Sequence, residues 1–142
     1  MLPNGMVNSN SMVSFNHYAY GAIGDWLYRW AAGLQEAAPG FREIRIKPYL
    51  NDHFTSMKAE QRTPYGLASS GWTKEGDALT LTVEIPANTT AEVYVPSAAA
   101  DKVTESGRAL DGRSDLKVAG WDDGYTLVRL GSGRYEFRST LK

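Results

Sequence analysis

Two hydrophobic periods divide the chain. Tyr20, Ile23, Trp26, Leu27, Trp30, Ala31 and Leu34 recur at three- and four-residue spacing, the mark of a helix with one apolar stripe. The spacing predicts a helix from about Tyr18 to Glu36. Ala37-Ala38-Pro39-Gly40 ends it, because proline cannot continue the hydrogen-bond ladder and glycine accepts the reversed backbone. Beyond Gly40 the period falls to two. Glu43 to Lys47 alternates up to Pro48, and Leu79, Leu81, Val83 and Ile85 alternate with polar residues up to Pro86. Further short strands are expected at Thr90 to Val95, Lys102 to Glu105 and Tyr125 to Leu130, the last pairing with Arg134 to Ser139 as a hairpin across Gly131-Ser132-Gly133. Thr63-Pro64-Tyr65-Gly66 and Glu75-Gly76-Asp77 read as turns. Met1 to Ser14, with three Asn, three Ser, a Gly and a Pro, reads as a loop.

About eight short strands separated by regular turns predict a mainly β fold, an antiparallel β-sandwich or jelly roll preceded by one long amphipathic α-helix. The change of period puts a domain boundary near Gly40, dividing the chain into residues 1–39 and 40–142. Tyr28 and Ala32 widen the apolar stripe of the helix, so a single sandwich face is not expected to cover it. The chain therefore has the look of a piece of something larger, and a homo-oligomer formed through the helix at 18–34 is expected where nothing else covers the stripe.

At 142 residues and 42% hydrophobic content the chain is long enough for one domain with a real core. Fifteen Lys and Arg stand against 16 Asp and Glu with no basic run, which argues against nucleic acid and anionic membrane as partners. The absence of Cys removes disulfides, thiolate nucleophiles and Cys-ligated zinc, and leaves the redox compartment undetermined. No apolar run approaches the roughly 20 residues of a membrane span, and no signal-peptide pattern opens the sequence, which leaves the location open and leans towards a soluble, cytoplasmic protein.

Few residues carry candidate chemistry. His17 and His53 are the only histidines, and no carboxylate spacing completes a metal site with them, so neither metal nor cofactor is expected. No Gly-flanked elbow serine and no phosphate loop occur. Most acids sit at turns or on the polar side of strands, where solvation is their ordinary role. His17, delivered by the polar, aromatic-rich stretch Ser14 to Gly21 to the start of the helix, is the one residue that invites a functional role; satisfying a turn or helix start is the alternative. Trp26 and Trp30 read as core aromatics. Trp72 and Trp121 are candidate sugar-stacking platforms, since an aromatic face suits the apolar face of a pyranose. Core packing is the alternative for Trp72, whereas Trp121, in the polar turn Gly120-Trp121-Asp122-Asp123-Gly124, is expected to be exposed. Asn88-Thr89-Thr90 matches a glycosylation sequon without a secretory context.

Ser14-Phe15-Asn16-His17-Tyr18-Ala19-Tyr20-Gly21-Ala22-Ile23-Gly24-Asp25-Trp26-Leu27-Tyr28 is followed by a series of further motifs. These are Pro39-Gly40-Phe41, Ile46-Lys47-Pro48, Thr63-Pro64-Tyr65-Gly66, Trp72, Ile85-Pro86-Ala87-Asn88-Thr89-Thr90-Ala91, Glu105-Ser106-Gly107 and Gly131-Ser132-Gly133-Arg134-Tyr135-Glu136-Phe137. In that order and spacing they resemble the C-terminal end of bacterial α-L-rhamnosidases of glycoside hydrolase family seventy-eight, over nearly the whole chain. The resemblance implies that residues 1–39 are a loop and the last helix of an incomplete α/α toroid catalytic domain, and that residues 40–142 are the β-sandwich after it. It implies hydrolysis of terminal α-L-rhamnosides with inversion, by a general acid and a general base set ~6.5–9.5 Å apart. Both catalytic carboxylates precede the matched segment, so no catalytic residue is assigned here and the isolated chain is expected to be inactive. What carries over is His17, matching a histidine that contacts rhamnose, with Asn16 and Tyr18 as weaker substrate-binding candidates. The partners implied are a rhamnoside or other carbohydrate and the remainder of the catalytic domain. A stand-alone, non-catalytic β-sandwich module that binds carbohydrate or another partner is the alternative.

Overall fold

The computed structural model describes residues 19–142 of the chain, with side chains from residue 21. Helix α1 (Ala19–Trp26) continues into one π-helical turn, Leu27–Ala31, and eleven strands follow. They are β1 (Leu34–Glu36), β2 (Glu43–Ile46), β3 (Ser56–Thr63), β4 (Gly66–Glu75), β5 (Ala78–Ile85) and β6 (Thr90–Pro96), then β7 (Val103–Glu105), β8 (Arg108–Ala109), β9 (Leu116–Asp122), β10 (Tyr125–Leu130) and β11 (Gly133–Thr140). A five-stranded sheet, β1-β2-β6-β10-β9, faces a six-stranded sheet, β3-β4-β5-β11-β7-β8. Every pair is antiparallel except β2 with β6, which run parallel.

The period of two does its expected work. Leu79, Leu81, Val83 and Ile85 of β5 are buried, as are Ala91, Val93 and Val95 of β6, Val128 and Leu130 of β10, and Phe137 of β11. With Ile44 and Ile46 of β2 and Trp72 of β4 they fill the space between the sheets. Trp72 is thus a core residue and not a sugar platform. Among the described residues no helix is long and apolar enough to cross a membrane.

Three expectations are corrected. The helix does not reach Glu36: helical backbone stops at Ala31, Gly33 turns the chain at a φ of +76°, and Leu34 to Glu36 pairs with β2. Leu34 satisfies a helical stripe and an inward strand position equally well, and the unpaired edge of β2 decides for the strand. The five-stranded sheet therefore begins before Gly40. Second, Tyr125 to Leu130 and Arg134 to Ser139 do not form a hairpin. β10 lies between β6 and β9 while β11 lies between β5 and β7, so Gly131-Ser132-Gly133 carries the chain from one sheet to the other. Each strand has one apolar face, and the crossing lets Val128 and Phe137 enter the same core from opposite sides. Third, Trp121 and Asp122 belong to β9. The turn is the two-residue Asp123-Gly124, both at positive φ, which joins β9 to β10 as a tight hairpin.

Candidate functional site

The helix is bound to the sandwich through its C-terminal end. A helix leaves its last carbonyls without internal partners, and here five consecutive carbonyls, at its end and in the turn that follows, find donors on the sandwich. Gln35 Nε2 donates to the Arg29 carbonyl at 2.8 Å, the Tyr49 N–H to Trp30 at 2.8 Å, Trp72 Nε1 to Ala31 at 2.7 Å, Ser70 Oγ to Ala32 at 2.6 Å and the Lys47 N–H to Gly33 at 2.9 Å. Ala31 and Ala32 are completely buried at this seam. Small side chains are needed there, because Trp72 and Ser70 reach past them to the backbone.

The opposite result holds for the large side chains of the helix. Ile23 is 57% exposed, Trp26 40%, Tyr28 44% and Trp30 53%. Trp26 and Trp30 are therefore surface aromatics and not core, contrary to their reading from spacing. The sandwich takes hold of the helix by its end and leaves its aromatic face open. Tyr49, in the loop after β2, is also exposed, and its N–H is the donor to the Trp30 carbonyl.

Of the residues singled out in the sequence, His17, Asn16 and Tyr18 lie outside the described residues. His53 is exposed, and its N–H donates to Asn51 Oδ1 in a local turn. Trp121 is half-exposed at the end of the edge strand β9, with its indole N–H donating to the Ser97 carbonyl at 2.9 Å. The structure brings none of these described residues together.

One polar cluster was missed by sequence reasoning. Glu105, buried on β7, accepts from Arg113 NH1 at 2.9 Å and from Ser106 Oγ at 2.7 Å, while Arg113 Nε donates to Asp115 Oδ1 at 2.7 Å. The guanidinium holds the Asp115 carboxyl below its usual range, and the two acids push Arg113 up from its own. Both carboxylates are engaged by one cation, so they brace the β7–β8 region and are not set as an acid and base facing a substrate. The spacing Glu105, Arg113, Asp115 has no recognisable period, and folding alone unites them.

An open groove of about 720 Å³ crosses the outer face of the five-stranded sheet. Its floor includes Arg45, Glu92 and Arg129 in register on three adjacent strands, with Glu92 3.6 Å from Arg45 and 3.1 Å from Arg129. These ions satisfy one another on a wet surface. Among the described residues no group of His, Asp and Glu is placed to hold a metal ion.

Comparison with known proteins gives this arrangement its context. Residues 33–110 match the profile of the bacterial alpha-L-rhamnosidase C-terminal domain. The chain belongs to that family. It is 33% identical to an alpha-L-rhamnosidase of Streptomyces avermitilis over 95% of its own length and 12% of the relative's, and 33% identical to one of Formosa agariphila over 93% and 14%. The crystal structure of Streptomyces avermitilis alpha-L-rhamnosidase complexed with L-rhamnose superposes with a TM-score of 0.79 at 32% identity, covering 97% of this chain and 13% of that one. The rhamnosidase C-terminal domain thus spans about an eighth of the relatives it matches. The matched region opens at Gly33, the residue at which helix gives way to sheet.

Proposed function

We propose that this chain forms the C-terminal end of an inverting α-L-rhamnosidase and completes and stabilises its catalytic toroid. Helix α1 is then the last toroid helix, residues 1–39 belong with the catalytic domain apart from β1, and the rest is the sandwich. The observation that carries this reading is the helix itself. It is fastened to the sandwich by five backbone carbonyls, yet it presents Ile23, Trp26, Tyr28 and Trp30 to water. Burying such side chains is worth about 1.5–3 kcal/mol each, and in this reading adjacent toroid helices cover them.

In this reading His17 hydrogen-bonds a rhamnose hydroxyl, flanked by Asn16 and Tyr18, and the carboxylic acid and carboxylate that perform inversion lie in the preceding part of the enzyme. The chain alone is then not catalytic. An aryl α-L-rhamnoside assay tests this: the purified chain shows no turnover, and turnover that is lost on mutating a carboxylate of this chain refutes the reading. Within the intact enzyme His17→Ala lowers kcat/KM without lowering the melting temperature in proportion. An unchanged kcat/KM beside a large fall in melting temperature would make His17 structural.

A further inference from the structure

We propose that Trp121 is a preformed stacking platform for a neutral pyranoside on the edge of the sandwich. Three features set this residue apart from a stray surface aromatic. The first is its orientation. β9 carries one extra residue against β10: Val118 pairs with Val128 but Gly120 pairs with Leu127, so Ala119 is bulged out. Gly120 adopts a φ of +150°, which a residue with a side chain rarely does. Without the bulge Trp121 would lie opposite Tyr125 on the outer face; with it, Trp121 lies opposite Thr126, at the open end of the sandwich.

The second feature is rigidity. The indole N–H donates to the Ser97 carbonyl, the Ser97 N–H donates to the Gly124 carbonyl at 2.8 Å, and Ser97 Oγ and Thr126 Oγ1 lie 2.7 Å apart, both residues being buried. The ring is held by a support that is itself held, and little rotamer freedom remains to be lost on binding. The third is what is left available. The polar atom of the indole is already satisfied, yet 47% of the residue is exposed. The exposed part of the residue is therefore what the proposal offers to the C–H face of a pyranose. Asp122, opposite Tyr125, belongs to the other face of the strand, and the exposed Asp123 follows in the turn at a φ of +48°. The ligand class comes from this geometry and stands or falls apart from the rhamnosidase reading.

The test is a titration of the isotope-labelled chain with methyl α-L-rhamnopyranoside and, separately, methyl β-D-glucopyranoside into the millimolar range, followed by nuclear magnetic resonance. Saturable shifts of the Trp121 indole N–H and of the Gly124 and Ser97 amides are expected with at least one sugar. Trp121→Ala should weaken that binding about tenfold or more. Trp121→Phe, which keeps a ring but loses the bond to Ser97, should retain part of it, and a melting curve for each variant separates loss of the platform from loss of the fold. If Trp121→Ala does not fold, the shift map of the unaltered chain and the Trp121→Phe titration decide. No saturable shift at Trp121 with either sugar, or equal binding by a folded Trp121→Ala chain, overturns the proposal.

Discussion

Gly33 is the hinge on which helix and sandwich are joined, and replacing it with alanine measures how rigid that joint is. The residue has a φ of +76°, and a Cβ built on it would lie 2.2 Å from the Pro48 nitrogen and 2.4 Å from the Lys47 carbonyl carbon. Both obstacles are backbone and cannot rotate away. Gly40 is the natural control, because its φ of +73° is nearly the same while nothing lies within 4 Å of its Cβ position. Gly40→Ala should cost only the left-handed backbone term, about 1–2 kcal/mol. Gly33→Ala carries that term as well, together with about 1–3 kcal/mol for overpacking. It also puts at risk the hydrogen bond from the Lys47 N–H to the Gly33 carbonyl, worth about 0.5–1.5 kcal/mol. The expected total is about 2.5–6.5 kcal/mol, a fall of roughly 10–26 °C in melting temperature for a domain of this size. Urea unfolding of both variants provides the comparison, with amide exchange at Lys47 and Tyr49 reporting whether the seam opens first. A Gly33→Ala chain within about 0.5 kcal/mol of Gly40→Ala would show that β1 and the loop after β2 move apart freely, and would refute the rigid joint.

Trp72→Phe keeps most of a buried ring but leaves the Ala31 carbonyl without its donor, so it should destabilise by about 1–3 kcal/mol in urea unfolding; a neutral result would mean that another donor takes over. Asp115 has its folded-state pKa lowered, chiefly by the hydrogen bond from Arg113, so the stability it contributes is present above the ordinary carboxylate range and is lost as pH falls through the lowered value. Arg113→Ala should therefore flatten the acid limb of a stability–pH profile, and an unchanged limb would remove the pair from the account. The chain on its own should associate through residues 18–34, as sedimentation at micromolar concentration would show, with Ile23→Ser, Trp26→Ser and Trp30→Ser together returning it to monomer. Association unaffected by those three changes would place the contact elsewhere.

Strand positions were legible because a strand facing one core must alternate: from Leu79 to Ile85 buried residues alternate with partly or fully exposed ones, as written. The turn at Thr63 to Gly66 and the family relationship were legible for a similar reason, since each rests on neighbours in the chain. Partnership is different. Leu34 fits a helix or a strand until β2 offers it an edge, and Gly131-Ser132-Gly133 closes a hairpin or crosses between sheets depending on which side of the core Phe137 must enter. Trp26 and Trp30 have the spacing of core residues, and whether they are core depends on which elements lie over them; the sandwich does not. The hydrophobic effect has no direction, so a sequence shows which side chains seek cover but not what covers them. Hydrogen bonds do have direction, and the carbonyls of Arg29 to Gly33 could be matched to Gln35, Lys47, Tyr49, Ser70 and Trp72 only once the fold had brought those donors to the end of the helix.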